Sequence, residues 1–220
     1  MNKLLLTIAF VALIATAYVG LKPRAQHLAN ENTSLPWEIT LSGTGYSQVF
    51  GIDIGQSTLS ETATLLGVDH EIAIISDQED NSALELYAAH YQSGPLSAKL
   101  IVGFRAEDDL LLAMKERADH KEYMASGSRK FLLSEEDLHR AQGLIVRSVS
   151  FIPGARLNQE IVESRFGKPS QVVKASETET HYLYPEQGLD IVLNSDAKDR
   201  LQYVAPKDFD LLLAPLQSAK

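Results

Sequence analysis

Leu84-Glu-Leu-Tyr-Ala-Ala-His-Tyr91, the turn Gln92-Ser-Gly-Pro95 and the run from Leu96 to Phe104 decide how this chain folds. Two β-favouring runs joined by a Gly-Pro turn read as an antiparallel hairpin. Just upstream, Glu71-Ile-Ala-Ile-Ile75 is a third strand, and the polar run Ser76-Asp-Gln-Glu-Asp-Asn-Ser82 turns the chain between them. Before that strand, the spacing predicts a helix over Leu59–Leu66. Thr58 with Glu61 three residues on forms a capping box, and Gly67 supplies the C-terminal stop. Trp37-Glu-Ile-Thr-Leu41 alternates as a strand, Ser42-Gly43-Thr44-Gly45 is turn chemistry, and Tyr46 to Ile52 returns.

Downstream, residues 107–122 read as a helix. Glu107, Asp108 and Asp109 suit its positive N-terminal end, Lys115, Arg117 and Lys121 fall later, and Leu110, Leu111, Met114 and Ala118 form its apolar stripe. Ser134-Glu-Glu-Asp137 caps a short helix to about Gln142, and Leu144 to Phe151 is strand-like. From residue 151 the order starts again. Phe151-Ile-Pro-Gly154 leads to a helix over 159–166, closed by Gly167-Lys-Pro169, then to strands at 171–174, 180–184, 189–193 and 201–204. His90-Tyr-Gln-Ser-Gly94 parallels Tyr184-Pro-Glu-Gln-Gly188. The fold class expected is α+β. Two tandem helix-plus-antiparallel-sheet units, 37–105 and 144–215, would be joined by a helical connector, 106–143, behind an N-terminal membrane helix.

That membrane helix is the run Leu4 to Leu21, which carries no charge and no proline. As a helix it rises about 27 Å, which barely spans a hydrocarbon core of about 30 Å. Two readings stay open. Ala15-Thr16-Ala17 is a signal-peptidase pattern, which would release the body to the periplasm. Early placement of that site, with Lys22 and Arg24 close behind, favours a retained anchor. Lys3 is outnumbered by Lys22 and Arg24, so the charge bias weakly favours the reverse orientation. The expectation is nonetheless a single pass in the inner membrane, a linker over 22–36 and the body in the periplasm.

Pro153-Gly154, the helix, Phe166-Gly167-Lys-Pro169, Tyr182-Leu-Tyr-Pro185 and Gly188-Leu-Asp-Ile-Val-Leu193 together resemble the SmpA/OmlA-type outer-membrane assembly lipoproteins. They are also similar to each half of β-lactamase inhibitory protein. The resemblance covers residues 151–205, and 50–104 more loosely. It implies helices on one face of an antiparallel sheet and a second face that binds a partner protein. Those lipoproteins carry a lipidated cysteine and the inhibitor's halves carry disulfides, whereas this chain has no cysteine. With Val49-Phe-Gly51 and Gln202-Tyr-Val-Ala-Pro206, the whole chain also resembles a proteobacterial envelope family, which implies an address and no activity.

Composition narrows the chemistry. The net charge is −9, and every Asp and Glu follows residue 30. An acidic body lacks the basic stripe that nucleic acid requires. Without cysteine, thiol catalysis, disulfides and cysteine-held zinc are excluded. The six histidines show no zinc-hydrolase spacing. Ser57 is not in a nucleophile elbow, and Asp77-Gln-Glu-Asp-Asn81 lacks the glycine and glutamate of a calcium loop. No catalytic residue, cofactor or metal site is expected. His90 and His181 occupy similar places in the two units, and hydrogen-bonded, half-buried strand residues are the reading favoured over a paired polar site.

Alternation along 84–91 places Tyr87 and Tyr91 with Glu85 on the face away from the leucines, and Tyr182 and Tyr184 share a face in the second unit. Tyrosine favours interfaces, although cross-strand aromatic packing explains the same pattern. These four are the candidate partner-binding residues. The function expected is a non-enzymatic binding or assembly module for an envelope protein, in contact with the bilayer through residues 4–21. An envelope hydrolase with spatially converging carboxylates or histidines, and a structural spacer, are the alternatives.

Overall fold

A computed structural model of the chain describes residues 34–67 and 69–218. The expected membrane helix, the cleavage site and the linker as far as residue 33 lie outside the described residues. Among the described residues, no helix is long and apolar enough to cross a membrane.

Three short strands open the body: β1 (Thr40–Leu41), β2 (Ser47–Val49) and β3 (Ile52–Ile54), paired in that order. α1 (Leu59–Leu66) follows with its capping box formed. The Thr58 hydroxyl accepts from the Glu61 amide at 3.2 Å, and the Glu61 carboxylate accepts from the Thr58 amide at 2.8 Å. Next come β4 (Glu71–Ser76), β5 (Ser82–Ser93), β6 (Leu96–Phe104), α2 (Asp108–Glu116), β7 (His120–Tyr123), β8 (Arg129–Leu132), α3 (Glu135–Ala141) and β9 (Val146–Pro153). The last part holds α4 (Gln159–Phe166), β10 (Gln171–Lys174), β11 (Glu179–Tyr184), β12 (Leu189–Asn194), β13 (Arg200–Val204) and α5 (Asp210–Ser218).

The two expected units are not separate, and the α+β class is corrected by the sheet itself. β4–β13 form one ten-stranded antiparallel sheet in the order β10-β11-β12-β13-β9-β6-β5-β4-β8-β7. The described residues are mostly β, 40% strand against 25% helix. The joint is β9, which pairs with β6 on one edge and with β13 on the other. Its backbone N–H and C=O groups pair on both sides at once, so neither half keeps a free edge at the middle.

Residues 106–143 hold α2 and α3 but also the hairpin β7–β8, whose inner strand pairs with β4. The helix expected to reach residue 122 stops at Glu116. Arg117 turns aside to Asp137, with bonds of 2.7 and 3.1 Å, and the Asp119 amide already donates to the Leu132 carbonyl.

One face of the sheet carries the main core. Ala88, Leu100, Phe151, Leu201, Ile191 and Tyr182 lie opposite one another across six strands, all buried. α1 to α4 and the three-stranded sheet pack on this face through Leu59, Leu111, Met114, Ala141, Val162, Phe50 and Ile52. Phe50 sits at the tip of the β2–β3 hairpin with φ 55°, followed by Gly51 at φ 78°. Two left-handed residues make the tight turn that a right-twisted hairpin needs, and they aim the Phe50 ring inward. It stacks on Phe151 at 5.2 Å and meets Tyr91 and Tyr203 edge-on at 5.5 and 5.8 Å. On the opposite face, Phe209, just before α5, and Leu212 within it pack against Leu183 and Val204.

Candidate functional site

The β4–β5 connection begins with Asp77, whose carboxylate accepts from the Glu79 and Asn81 amides at 2.9 and 2.8 Å and from the Asn81 side chain at 2.7 Å. These bonds close the loop from inside, and Asp80 takes the left-handed conformation, φ 67°, that turns it back. The expected reading of this run as a hairpin loop agrees with that geometry. Among the described residues, no group of three side chains could hold a metal ion.

Asp80 then reaches two cations, the Lys115 ammonium and the Arg129 guanidinium, each at 2.9 Å. The Lys115 hydrogen bond holds the Asp80 carboxyl below its ordinary value. Lys115 also donates to the Ser82 hydroxyl at 2.9 Å. This clamp ties α2 to the β4–β5 loop, and a cleft of about 290 Å³ remains between them. Phe104, Leu111 and Leu112 make its apolar wall, and Ser82, Lys115 and Arg147 its polar one. Glu79, Asp108 and Asp109 stand exposed at its rim.

A second opening, on the other face of the sheet, is far smaller. It measures about 20 Å³, room for one water. Glu85, Ala73, Ile75, Ile101 and Met124 line it, with Lys130 at one side. Lys130 is only 3% exposed and bridges Glu71 and Glu122 at 3.0 and 2.9 Å. Glu85 is 4% exposed and hydrogen-bonded to no described group. Burial pushes its carboxyl up to about 8, so at neutral pH it stands as an acid holding its proton.

The third polar cluster is sealed. His181 Nδ1 lies 2.7 Å from Asp190 and Nε2 lies 3.0 Å from Glu179. Glu179 also accepts from Arg200 at 3.2 and 3.3 Å and from Asn194 at 2.9 Å. Burial alone would lower the His181 value, but its two carboxylate partners more than offset that and hold it at about 9. Glu179 falls to about 2, chiefly through its bond to His181. Burial raises Asp190. The structure separates the two histidines: His90 is exposed on β5, and His181 belongs to this buried charge network on β11.

Three of the four candidate tyrosines are in the main core. Tyr91, Tyr182 and Tyr184 are each at most 7% exposed. The Tyr184 hydroxyl donates to the Gly167 carbonyl at 2.9 Å, and burial pushes it up to about 12. Tyr87 is half-buried on the other face, beside Ile101 and Ile152. The shared face expected for Tyr87 and Tyr91 fails because β5 bulges against β6 between Ala88 and Tyr91. One extra residue on one strand reverses the alternation beyond it.

Sequence reasoning passed over Arg147. Its signal was a single charge inside the apolar run Leu144-Ile-Val-Arg-Ser-Val-Ser-Phe151, where a strand buried on both faces tolerates few charges. No family model, no curated protein and no solved structure matches this chain.

Proposed function

We propose that this chain is a non-enzymatic binding or assembly module for an envelope protein, and that the cleft between the β4–β5 loop and α2 receives the partner. In this reading residues 4–21 hold it in the inner membrane and the body works in the periplasm. The observation that carries the proposal is the composition of that cleft: an apolar wall, a charged wall and an open mouth, the mixture typical of recognition sites. The likeness of residues 151–205 to outer-membrane assembly proteins supports the same class.

A hydrolase working through carboxylates needs an acid poised near neutral within reach of its substrate. Glu85 has such a value but faces room for one water. Asp190, also raised, is 1% exposed. The cleft carboxylate whose value is moved, Asp80, is moved down. Acid strength and access are thus held in different places, which favours binding over hydrolysis.

The test is a photo-crosslinking residue placed in intact cells at Leu112, 52% exposed on the cleft, or at Tyr123, 76% exposed on the edge strand β7. One discrete adduct, at Leu112 and not at Tyr123, is expected. Adducts of equal yield at both positions, or none at Leu112, would refute the assignment. A purely structural spacer predicts none at either.

A further inference from the structure

Arg147 lines the cleft as a cation that no carboxylate among the described residues contacts directly. It is half-buried near the start of β9 and lines the cleft together with the buried Phe104 and Leu111. Among the described residues its guanidinium makes no hydrogen bond and no ion pair. Burial lowers its proton affinity, and the neighbouring Arg105 lowers it further. Asp208 supports the charge only from a distance. That carboxylate is already engaged by Lys207 at 3.2 Å and by Arg105 at 3.5 Å. Partly buried charges are ordinarily paired at close range, and here the close partner is missing where the cleft is open to a ligand.

We propose that Arg147 anchors a carboxylate in this cleft, and that the ligand is the carboxyl end of a protein chain whose last side chain is apolar. The inference rests on the cleft being the binding site. Guanidinium and carboxylate match in a two-bond fork, which makes arginine the usual reader of that group. Phe104, Leu111 and Leu112 line the same space and suit an apolar side chain carried next to the carboxylate. A volume of about 290 Å³ accepts a terminal residue rather than a folded surface. The exposed acids Glu79, Asp80, Asp108 and Asp109 line the same cleft. Their repulsion grows with the charge of the ligand, so it disfavours a polyanion more than a single carboxylate bonded directly to Arg147.

Methyl NMR of the full chain in mild detergent, with labelled Leu and Ala, tests this with three probes. N-acetyl-leucine carries the carboxylate and the apolar side chain. N-acetyl-leucinamide lacks the charge, and the α-amide of N-acetyl-glutamate carries its carboxylate on a side chain. N-acetyl-leucine should shift the methyls of Ala106, Leu111 and Leu112, with the leucinamide binding about tenfold more weakly. Arg147→Met should lose that tenfold preference while its spectrum elsewhere stays native, and Arg147→Lys should keep part of it. Equal binding of acid and amide would overturn the anchor and leave the cleft standing as a site. Glutamate binding as tightly as N-acetyl-leucine would overturn the chain-end assignment in favour of an acidic side chain. No shift with any probe would overturn the inference altogether, and crosslinking at Leu112 would then decide the binding reading independently.

Discussion

Replacing Glu85 by Gln should convert a pH-sensitive protein into a less sensitive one. The carboxyl titrates at about 8 in the folded chain against an ordinary 4.5. Because the folded value is the higher one, the folded chain holds a proton that the unfolded chain releases. Stability from this group is therefore fully present below pH 4.5 and is lost as pH rises through 8. At ~1.4 kcal/mol per pH unit, the loss is about 3 kcal/mol at pH 7 and roughly 5 kcal/mol at pH 9. Glutamine has nearly the same shape and cannot ionise, so Glu85→Gln escapes this loss. The assay is urea unfolding of the full chain in mild detergent, followed by circular dichroism at pH 5, 7 and 9. The two proteins should agree within about 1 kcal/mol at pH 5, where both carry a neutral buried group. Their midpoints should separate steadily at pH 7 and 9, the variant being the more stable, with unchanged slopes. A difference of the same size at all three pH values would refute the assignment of Glu85 as a buried, protonated acid.

The His181 ring should titrate by NMR near 9. Its raised value contributes stability that is complete below 6.5 and disappears as pH climbs through 9, and a midpoint near 6.5 would contradict the network. Phe50→Ala should cost about 3–4 kcal/mol, read as a lower urea midpoint, because the ring it removes touches Phe151, Tyr91 and Tyr203; a loss below ~1 kcal/mol would contradict that packing. Gly188 has φ 66° and its Cβ would drive into the Val204 carbonyl. Gly188→Ala should therefore destabilise by more than ~2 kcal/mol, and a neutral result in the same melts would mean the β12–β13 approach is looser than described.

What could be read in advance was local. The capping box of Thr58 and Glu61 needs only four residues, and α1 falls where the spacing puts it. The hairpin of β5 and β6 declares itself through Gly94-Pro95 and apolar content. What could not be read was pairing between distant segments. Nothing in Val146–Pro153 names β6 and β13 as its neighbours, so one sheet looked like two. The strand His120-Lys-Glu-Tyr123 has no apolar alternation, and the stripe of Leu110, Leu111, Met114 and Ala118 carried the helical reading past its true end. The tyrosine face failed on one bulge, which backbone pairing decides and composition does not. The clefts depend on the same distant placements: α2 meets the β4–β5 loop through Lys115 and Asp80, thirty-five residues apart.

The position of β9 between β6 and β13 also sets a schedule. As the chain emerges, β6 is complete about forty residues before β9 exists, and β9 then waits about fifty more for β13. At 5–20 residues per second each interval lasts roughly 2–10 s. Through both, an apolar strand edge offers its amides and carbonyls to any other chain. Each new copy of the protein therefore passes through two sticky stages before its last strand closes the sheet, and shielding during emergence matters more here than in a protein whose strands pair in order.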